Sequence, residues 1–339
     1  MKNIYDLSRD DLIIYFENKN LKKYKAVQVY EWLYDKRVNS FEEMTNLKKE
    51  LIEDLNKDFY FGKITLEKVQ TDKDANKYLF KLEDDSLIEA VLMKHNYGNS
   101  LCISSQVGCN MGCAFCASGK LKKVRNLTCG EMVKQILAIE EKLNKRISSI
   151  VVMGIGEPFD NYDNVINFFK VINDPKGLAI GARHITVSTS GLVPKIKEFA
   201  SFPMQVNLAI SLHFADDESR SKYMPINRAY GIKELIDSIK YYISKTNRRV
   251  TIEYILLDGI NDSIGDAKKL IKLLKGLNVY VNLIPYNETG SEFKPSKEKN
   301  KDAFYQTIKE SGIVVTVRRR FGENIDAACG QLRAKEVKK

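Results

Sequence analysis

The chain has 339 residues, 44% of them hydrophobic and 29% charged, an ordinary balance for a globular protein and enough length for a large domain plus a small one. No apolar run approaches the roughly 18–20 residues of a membrane-spanning helix, and Met1–Leu7 lacks the apolar core of a secretion signal, so a cytoplasmic protein is expected. The formal net charge of +10 favours a polyanionic partner and leaves RNA, DNA and an anionic membrane surface open. In a reducing compartment, six cysteines point to metal binding or catalysis before structural disulfides.

Residues 8–57 read as helical. Leu12, Ile13 and Phe16 recur at helical spacing, as do Ala26, Val29, Tyr30 and Leu33. Ser40 is a plausible N-cap for a third helix, with Glu42 and Glu43 in its first turn. Lys19, Lys22, Lys23, Lys25, Lys36 and Arg37 make either a solvated basic face or a surface for RNA phosphates. The period then switches. Tyr78–Leu82 and Leu87–Met93 are strand-like, and Glu83–Ser86 joins them as a hairpin turn. Glu89 is an acid inside an apolar strand. Alternation alone places it on the solvent face, whereas a partly apolar setting would make it a usable base.

From residue 100 apolar strand-like runs at 100–105, 149–153, 185–188, 206–211, 250–257, 279–284 and 313–318 alternate with amphipathic segments near 129–145, 161–173, 192–200, 231–245, 265–276 and 298–311. That alternation predicts βαβ units around a parallel sheet with right-handed crossovers. The pattern does not separate a doubly wound sheet from a barrel. In both, ligands sit at the carboxyl ends of the strands.

The loop after the first of these strands carries the chemistry. Cys109, Cys113 and Cys116 stand at C-x3-C-x-Φ-C spacing, with the aromatic Phe115 before the last cysteine. Three thiolates this close can share one soft metal centre and leave a metal position open for reaction. The spacing fits neither a structural zinc site nor a bacterial ferredoxin run. Met153-Gly154-Ile155-Gly156-Glu157-Pro158 follows the next strand. It lacks the third glycine of a dinucleotide fingerprint and reads as a turn allowing close backbone approach. The three histidines, His95, His184 and His213, show no metal-ligand spacing.

The cysteine spacing is that of the radical S-adenosylmethionine (SAM) superfamily. With the flanks Cys102-Ile103-Ser104-Ser105-Gln106-Val107-Gly108 and Asp326-Ala327-Ala328-Cys329-Gly330-Gln331-Leu332, the chain resembles the RlmN/Cfr family of RNA adenosine methyltransferases over nearly its whole length. The resemblance implies a partial (β/α)6 TIM-type barrel over residues 99–339, a helical RNA-binding module over 1–58 and a β-hairpin extension over 59–98. It implies that Cys109, Cys113 and Cys116 hold a [4Fe-4S] cluster whose fourth iron is chelated by SAM. Gly156, Glu157, Ser188, Ser211, Leu212, His213 and Asn287 match the family's SAM-binding positions; taken singly, each would read as a loop or capping residue. Cys329 matches the methyl-carrying cysteine, Cys102 the cysteine that later resolves the covalent intermediate, and Glu89 the proton acceptor. Cys129 matches no role and reads as inert, and Asn324 departs from an aspartate common in the family, which bears only on fine positioning of Cys329.

The implied reaction consumes two SAM per turnover and yields 2-methyladenosine in 23S ribosomal RNA and in transfer RNA. It passes through S-methylcysteine and a transient disulfide, with a flavodoxin-like electron donor and a monomeric enzyme. The alternative within the family is methylation at adenine carbon 8, which confers antibiotic resistance. Gly181–Thr186 and the tail after Leu332 lean towards carbon 2, and Phe321-Gly322 leans towards carbon 8. The alternative of another class is a non-enzymatic RNA-binding protein with a structural zinc knot.

Overall fold

The computed structural model describes residues 1–289, 291–322, 325 and 331. Its centre is a ten-stranded sheet. The strands in chain order are β1 (Thr65–Thr71), β2 (Ala75–Lys81), β3 (Leu87–His95), β4 (Gly98–Cys102), β5 (Ser149–Val152), β6 (Ile185–Thr189), β7 (Asn207–Ser211), β8 (Val250–Leu256), β9 (Val279–Pro285) and β10 (Val314–Val317). Each is hydrogen-bonded to its neighbour in sequence, so the spatial order runs from β10 to β1 without reversal. The first four pair antiparallel. From β4 to β10 every pairing is parallel.

That order decides between the two architectures left open by the pattern. A doubly wound sheet reverses direction at a switch point. Here every crossover steps the same way, which at constant hand places the helices on one face and curls the sheet as in a barrel. The sheet has two edges, at β1 and β10, and is an open partial barrel.

The crossover helices are α4 (Cys129–Leu143), α5 (Tyr162–Asn173), α6 (Val193–Phe199), α7 (Asp217–Tyr223), α8 (Ile232–Thr246), α9 (Ile264–Leu274) and α10 (Glu298–Glu310). Six follow the amphipathic segments legible in the sequence. The short α7 does not, because its polar run Asp217–Tyr223 offers no apolar stripe. Strand interiors such as Ile150, Val187, Leu208, Ile252 and Val281 are fully buried against these helices.

The N-terminal segment is helical as expected, with α1 (Arg9–Asn18), α2 (Tyr24–Glu31) and α3 (Lys49–Asp58). Ser40 does not cap the third helix. Only a short 3-10 turn, Phe41–Glu43, follows it, and Ser40 makes no capping bond. Phe41 is buried instead, Met44 closes the turn, and the helix begins at Lys49. Leu12, Phe16, Val29, Tyr30 and Leu33 share one continuous core with the sheet. The Asp6 carboxylate accepts the Gly130 N–H at 2.7 Å, and Arg37 donates to the buried Glu140. Much of the basic face is paired within the chain: Lys19 with Asp58, Lys23 with Glu17 and Lys36 with Asp35. No helix among the described residues is long and apolar enough to cross a membrane.

Helix α4 starts directly behind the cysteine loop and fixes where that loop ends. Its Thr128 Oγ accepts the Glu131 N–H at 3.2 Å, and the Glu131 carboxylate accepts the Thr128 N–H at 2.9 Å. Thr128→Ala is expected to lower the unfolding free energy in urea by about 1 kcal/mol, whereas Thr128→Ser keeps nearly all of it.

Candidate active site at the carboxyl edge of the sheet

The cysteine loop leaves β4 through Ile103–Gly108, and its polar residues stitch neighbouring segments together. Ser104 Oγ donates to the Glu89 carbonyl at 2.6 Å and accepts the Ile155 N–H at 3.0 Å. Gln106 Oε1 accepts the Glu157 N–H at 2.8 Å, while its Nε2 donates to Asn126 and Asp160. Gly156 sits at φ +113°, and a Cβ there would lie 2.7 Å from the Gln106 side chain. Gly154 is equally confined, since a Cβ would lie 2.5 Å from the Ile103 carbonyl oxygen. Both glycines of the Gly-x-Gly turn are therefore required by close approach of two chain segments.

The loop itself is pinned from below. Phe115 is buried among Phe214, Met224, Ile255 and Ile284, a second apolar cluster apart from the main core. Its neighbour Ala114 donates to the Tyr223 carbonyl at 3.0 Å. Cys109, Cys113 and Cys116 then face a single cavity that Gly156, Glu157, Ser188, Ser211 and His213 also line. Burial pushes the Cys109 thiol up to about 12 and Cys113 well above its ordinary value, so binding a metal there would displace protons. Among the described residues no three His, Cys, Asp or Glu side chains are grouped closely enough to hold a single metal ion. Three thiols spread around one cavity suit a cluster that takes one thiolate per iron.

Glu157 is buried, and its two carboxylate oxygens accept the Ser190 N–H at 2.7 Å and the Phe159 N–H at 3.0 Å. Burial raises its pKa and these backbone bonds oppose the rise. The remaining lone pairs can receive an ammonium group. His213 has φ +60° and is 7% exposed, and its Nδ1 accepts the Ile255 N–H at 3.2 Å. Burial, reinforced by the Arg220 cation, pushes its pKa down to about 3. It is a neutral ring that stands edge-on to Phe115.

Two further expected positions, Leu212 and Asn287, are not among the side chains that line this cavity. Leu212 is fully buried in the main core, its N–H bonded to the Glu253 carbonyl and its carbonyl to Arg220. Asn287 turns its amide back to the Pro285 carbonyl at 3.3 Å. Glu89 also differs from the alternation reading. It is fully buried, because both faces of the β2–β3 hairpin are covered. Ile88, Ala90 and Leu92 join the main core. Glu89 shares the opposite face with Val91 and Met93, which pack with Cys102 and Ile155.

Cys102 ends β4, directly opposite Val91 in the β3–β4 register. Phe321 and Ile325 pack on the same small cluster. Asp74 holds this C-terminal stretch through Arg319 and the Gly322 N–H, each at 3.1 Å. Gln331 donates to the Glu288 carbonyl at 2.9 Å. Cys329 lies outside the described residues. Of the remaining cysteines and histidines, Cys129 is buried at the start of α4, His95 stacks on Tyr97, and His184 is exposed.

Several polar groups here had no sequence signal. Arg220 is fully buried and, among the described residues, forms no salt bridge with a carboxylate. It donates to the Leu212, Ser190 and Ser211 carbonyls and to Asn227 Oδ1, clamping the ends of β6 and β7. Glu253, also buried, lines the cavity and accepts from Asn282 at 2.9 Å. An acid in the apolar strand run 250–257 was the one available hint.

Gly156→Ala is expected to cost at least about 2 kcal/mol, read as a lower melting temperature, since it adds both a strained φ and a clash. The depressed His213 pKa gives a pH dependence. Its contribution to stability is present above about pH 6.5, the unfolded value, and is lost as pH falls towards about 3. Between pH 7 and pH 5.5 the parent should lose about 1 kcal/mol more unfolding free energy than His213→Gln; equal losses would contradict this.

Comparison with known proteins agrees with this geometry. The radical SAM superfamily model matches residues 103–274, and a ribosomal RNA large subunit methyltransferase N-terminal domain model matches residues 2–60. The chain is 53% identical over 336 residues to a probable dual-specificity RNA methyltransferase RlmN of Acholeplasma laidlawii, covering 98% of this chain and 99% of that protein. It is 52% identical to a protein of the same description from Listeria monocytogenes, covering 99% of this chain and 95% of the other. A crystal structure of a radical SAM methyltransferase from Sphaerobacter thermophilus superposes with a TM-score of 0.92 at 40% identity, over 99% of this chain and 100% of that one. The chain thus belongs to the RlmN family within the radical SAM superfamily.

Proposed function

We propose that this chain makes 2-methyladenosine in 23S ribosomal RNA and in transfer RNA, carrying the methyl group on Cys329 and resolving the product through Cys102. The observation that carries the proposal is the single cavity lined by Cys109, Cys113, Cys116, Gly156 and Glu157. The packing of Cys102 against Phe321 and Ile325, on the segment that leads to Cys329, adds support. When bound, a [4Fe-4S] cluster and SAM supply the methyl group and the radical that activates it, two SAM being used per turnover.

The three thiols would hold the cluster. Glu157 would accept hydrogen bonds from the SAM ammonium, while Ser188, Ser211 and the neutral His213 would face the rest of the cofactor. Adenine carbon 2 lies between two ring nitrogens and is too electron-poor to displace a methyl group from SAM directly. A carbon radical on the Cys329 side chain can add to it. Glu89 then accepts the ring proton, the adduct's unpaired electron would return to the bound cluster, and Cys102 attacks the Cys329 sulfur. The sulfur–carbon bond breaks with its electron pair going to the methylene carbon, which takes up a proton to become the methyl group, a disulfide forms, and the methylated base leaves. An unstacked loop adenosine is the accessible target. Residues 1–58 would contact RNA through lysines outside the internal pairs, such as Lys22 and Lys25. A cytoplasmic monomer reduced by a flavodoxin-like donor completes this reading.

Cys102→Ala is expected to accumulate a covalent protein–RNA adduct and Cys329→Ala none; equal adduct from both would contradict the assigned roles. Anaerobic purification should give a brown protein with stoichiometric iron and sulfide, and a colourless protein with one zinc would remove the enzyme reading. Mass spectrometry of ribosomal RNA from a deletion strain and its complement should show loss and return of 2-methyladenosine. Finding 8-methyladenosine alone would move the site of methylation to carbon 8.

A further inference from the structure

Lys77 lies on β2 and is 6% exposed, inside a strand otherwise built from residues such as Ala75, Leu79 and Phe80. Its Nζ stands 3.3 Å from Glu89 Oε1. In the β2–β3 register Lys77 faces Val91 and Leu79 faces Glu89, so lysine and acid are diagonal neighbours on one sheet face. Val91 is in turn opposite Cys102. A lysine, an acid and a cysteine thus share the face that packs against the Gly154–Glu157 turn.

We propose that Lys77 is a positioning residue that keeps Glu89 ionised and aimed at the reacting base. This rests on the reading of Glu89 as proton acceptor. An isolated carboxylate buried on an apolar face takes up a proton rather than stay charged. A protonated Glu89 could not accept the ring hydrogen, and release of the base would stall before Cys102 acts. The Lys77 ammonium opposes that protonation by charge and fixes the side chain by contact. A buried ion pair is a poor device for stability alone, since apolar residues of similar volume usually do as well. Its placement on the sheet face that carries Cys102 is better explained by chemistry than by packing.

The test uses the full-length reconstituted protein and a ribosomal RNA fragment, scoring covalent protein–RNA adduct against released methylated product in a single turnover. Lys77→Met should raise the adduct-to-product ratio by at least about tenfold, as should Glu89→Gln, while Lys77→Arg should return it to within about threefold of the parent. A purely structural role would lower folded yield without changing that ratio. Where Lys77→Met does not fold, Lys77→Gln is read in the same way. If Glu89→Gln stalls but the lysine variants release product normally, or if Lys77→Arg stalls as fully as Lys77→Met, the Lys77 role is overturned. If Glu89→Gln itself releases product normally, the proton-acceptor reading falls and the Lys77 role with it.

Discussion

A parallel sheet ends abruptly, and at its carboxyl edge the ladder no longer satisfies backbone N–H and C=O groups. Several polar residues in and behind the candidate site answer that constraint. Ser104 and Gln106 satisfy the turn after β5. Arg220 collects the carbonyls at the ends of β6 and β7. Asn261 donates to the His213 and Ile255 carbonyls, and His213 receives the Ile255 N–H. The ligand-facing geometry is a by-product of this accounting. Groups that terminate strands also line the space into which the strands point.

The same logic explains why charge is buried here at all. Glu157, Arg220 and Glu253 sit in the wall or support of one cavity, each held by backbone or amide partners. Glu89 instead has a lysine beside it. Buried charges stabilise a fold poorly, so their concentration at one edge of the sheet marks the place where stability gives way to chemistry. Asp74 holds Arg319 and the Gly322 N–H, and the Glu288 carbonyl accepts from Gln331. The hairpin extension therefore helps to position a segment more than two hundred residues away in sequence.

Some of this was legible in the residues. The three-thiol spacing, the Gly-x-Gly turn and six of the seven crossover helices follow from local pattern, because each depends on neighbours within a turn or two. Ser40 misled because a polar residue before two acids resembles a cap, while burial of Phe41 and Met44 holds the chain in a short turn. Glu89 misled by alternation for a different reason. Period two assigns a face but cannot say whether that face is covered, and here it is. Arg220, Glu253 and Lys77 left almost no signal, since a charged residue reads as exposed until the partner that satisfies it is known.

By itself the sequence determined the family, the cysteine loop and the alternating β/α order, because spacing and periodicity are properties of the chain. Only the tertiary structure decided that the sheet runs in unbroken order as an open barrel. It also decided that the Leu212 side chain packs into the main core and that Glu89 is buried beside Lys77. Those facts depend on which strands become neighbours and what covers them, and contacts between distant segments are not written in any local pattern.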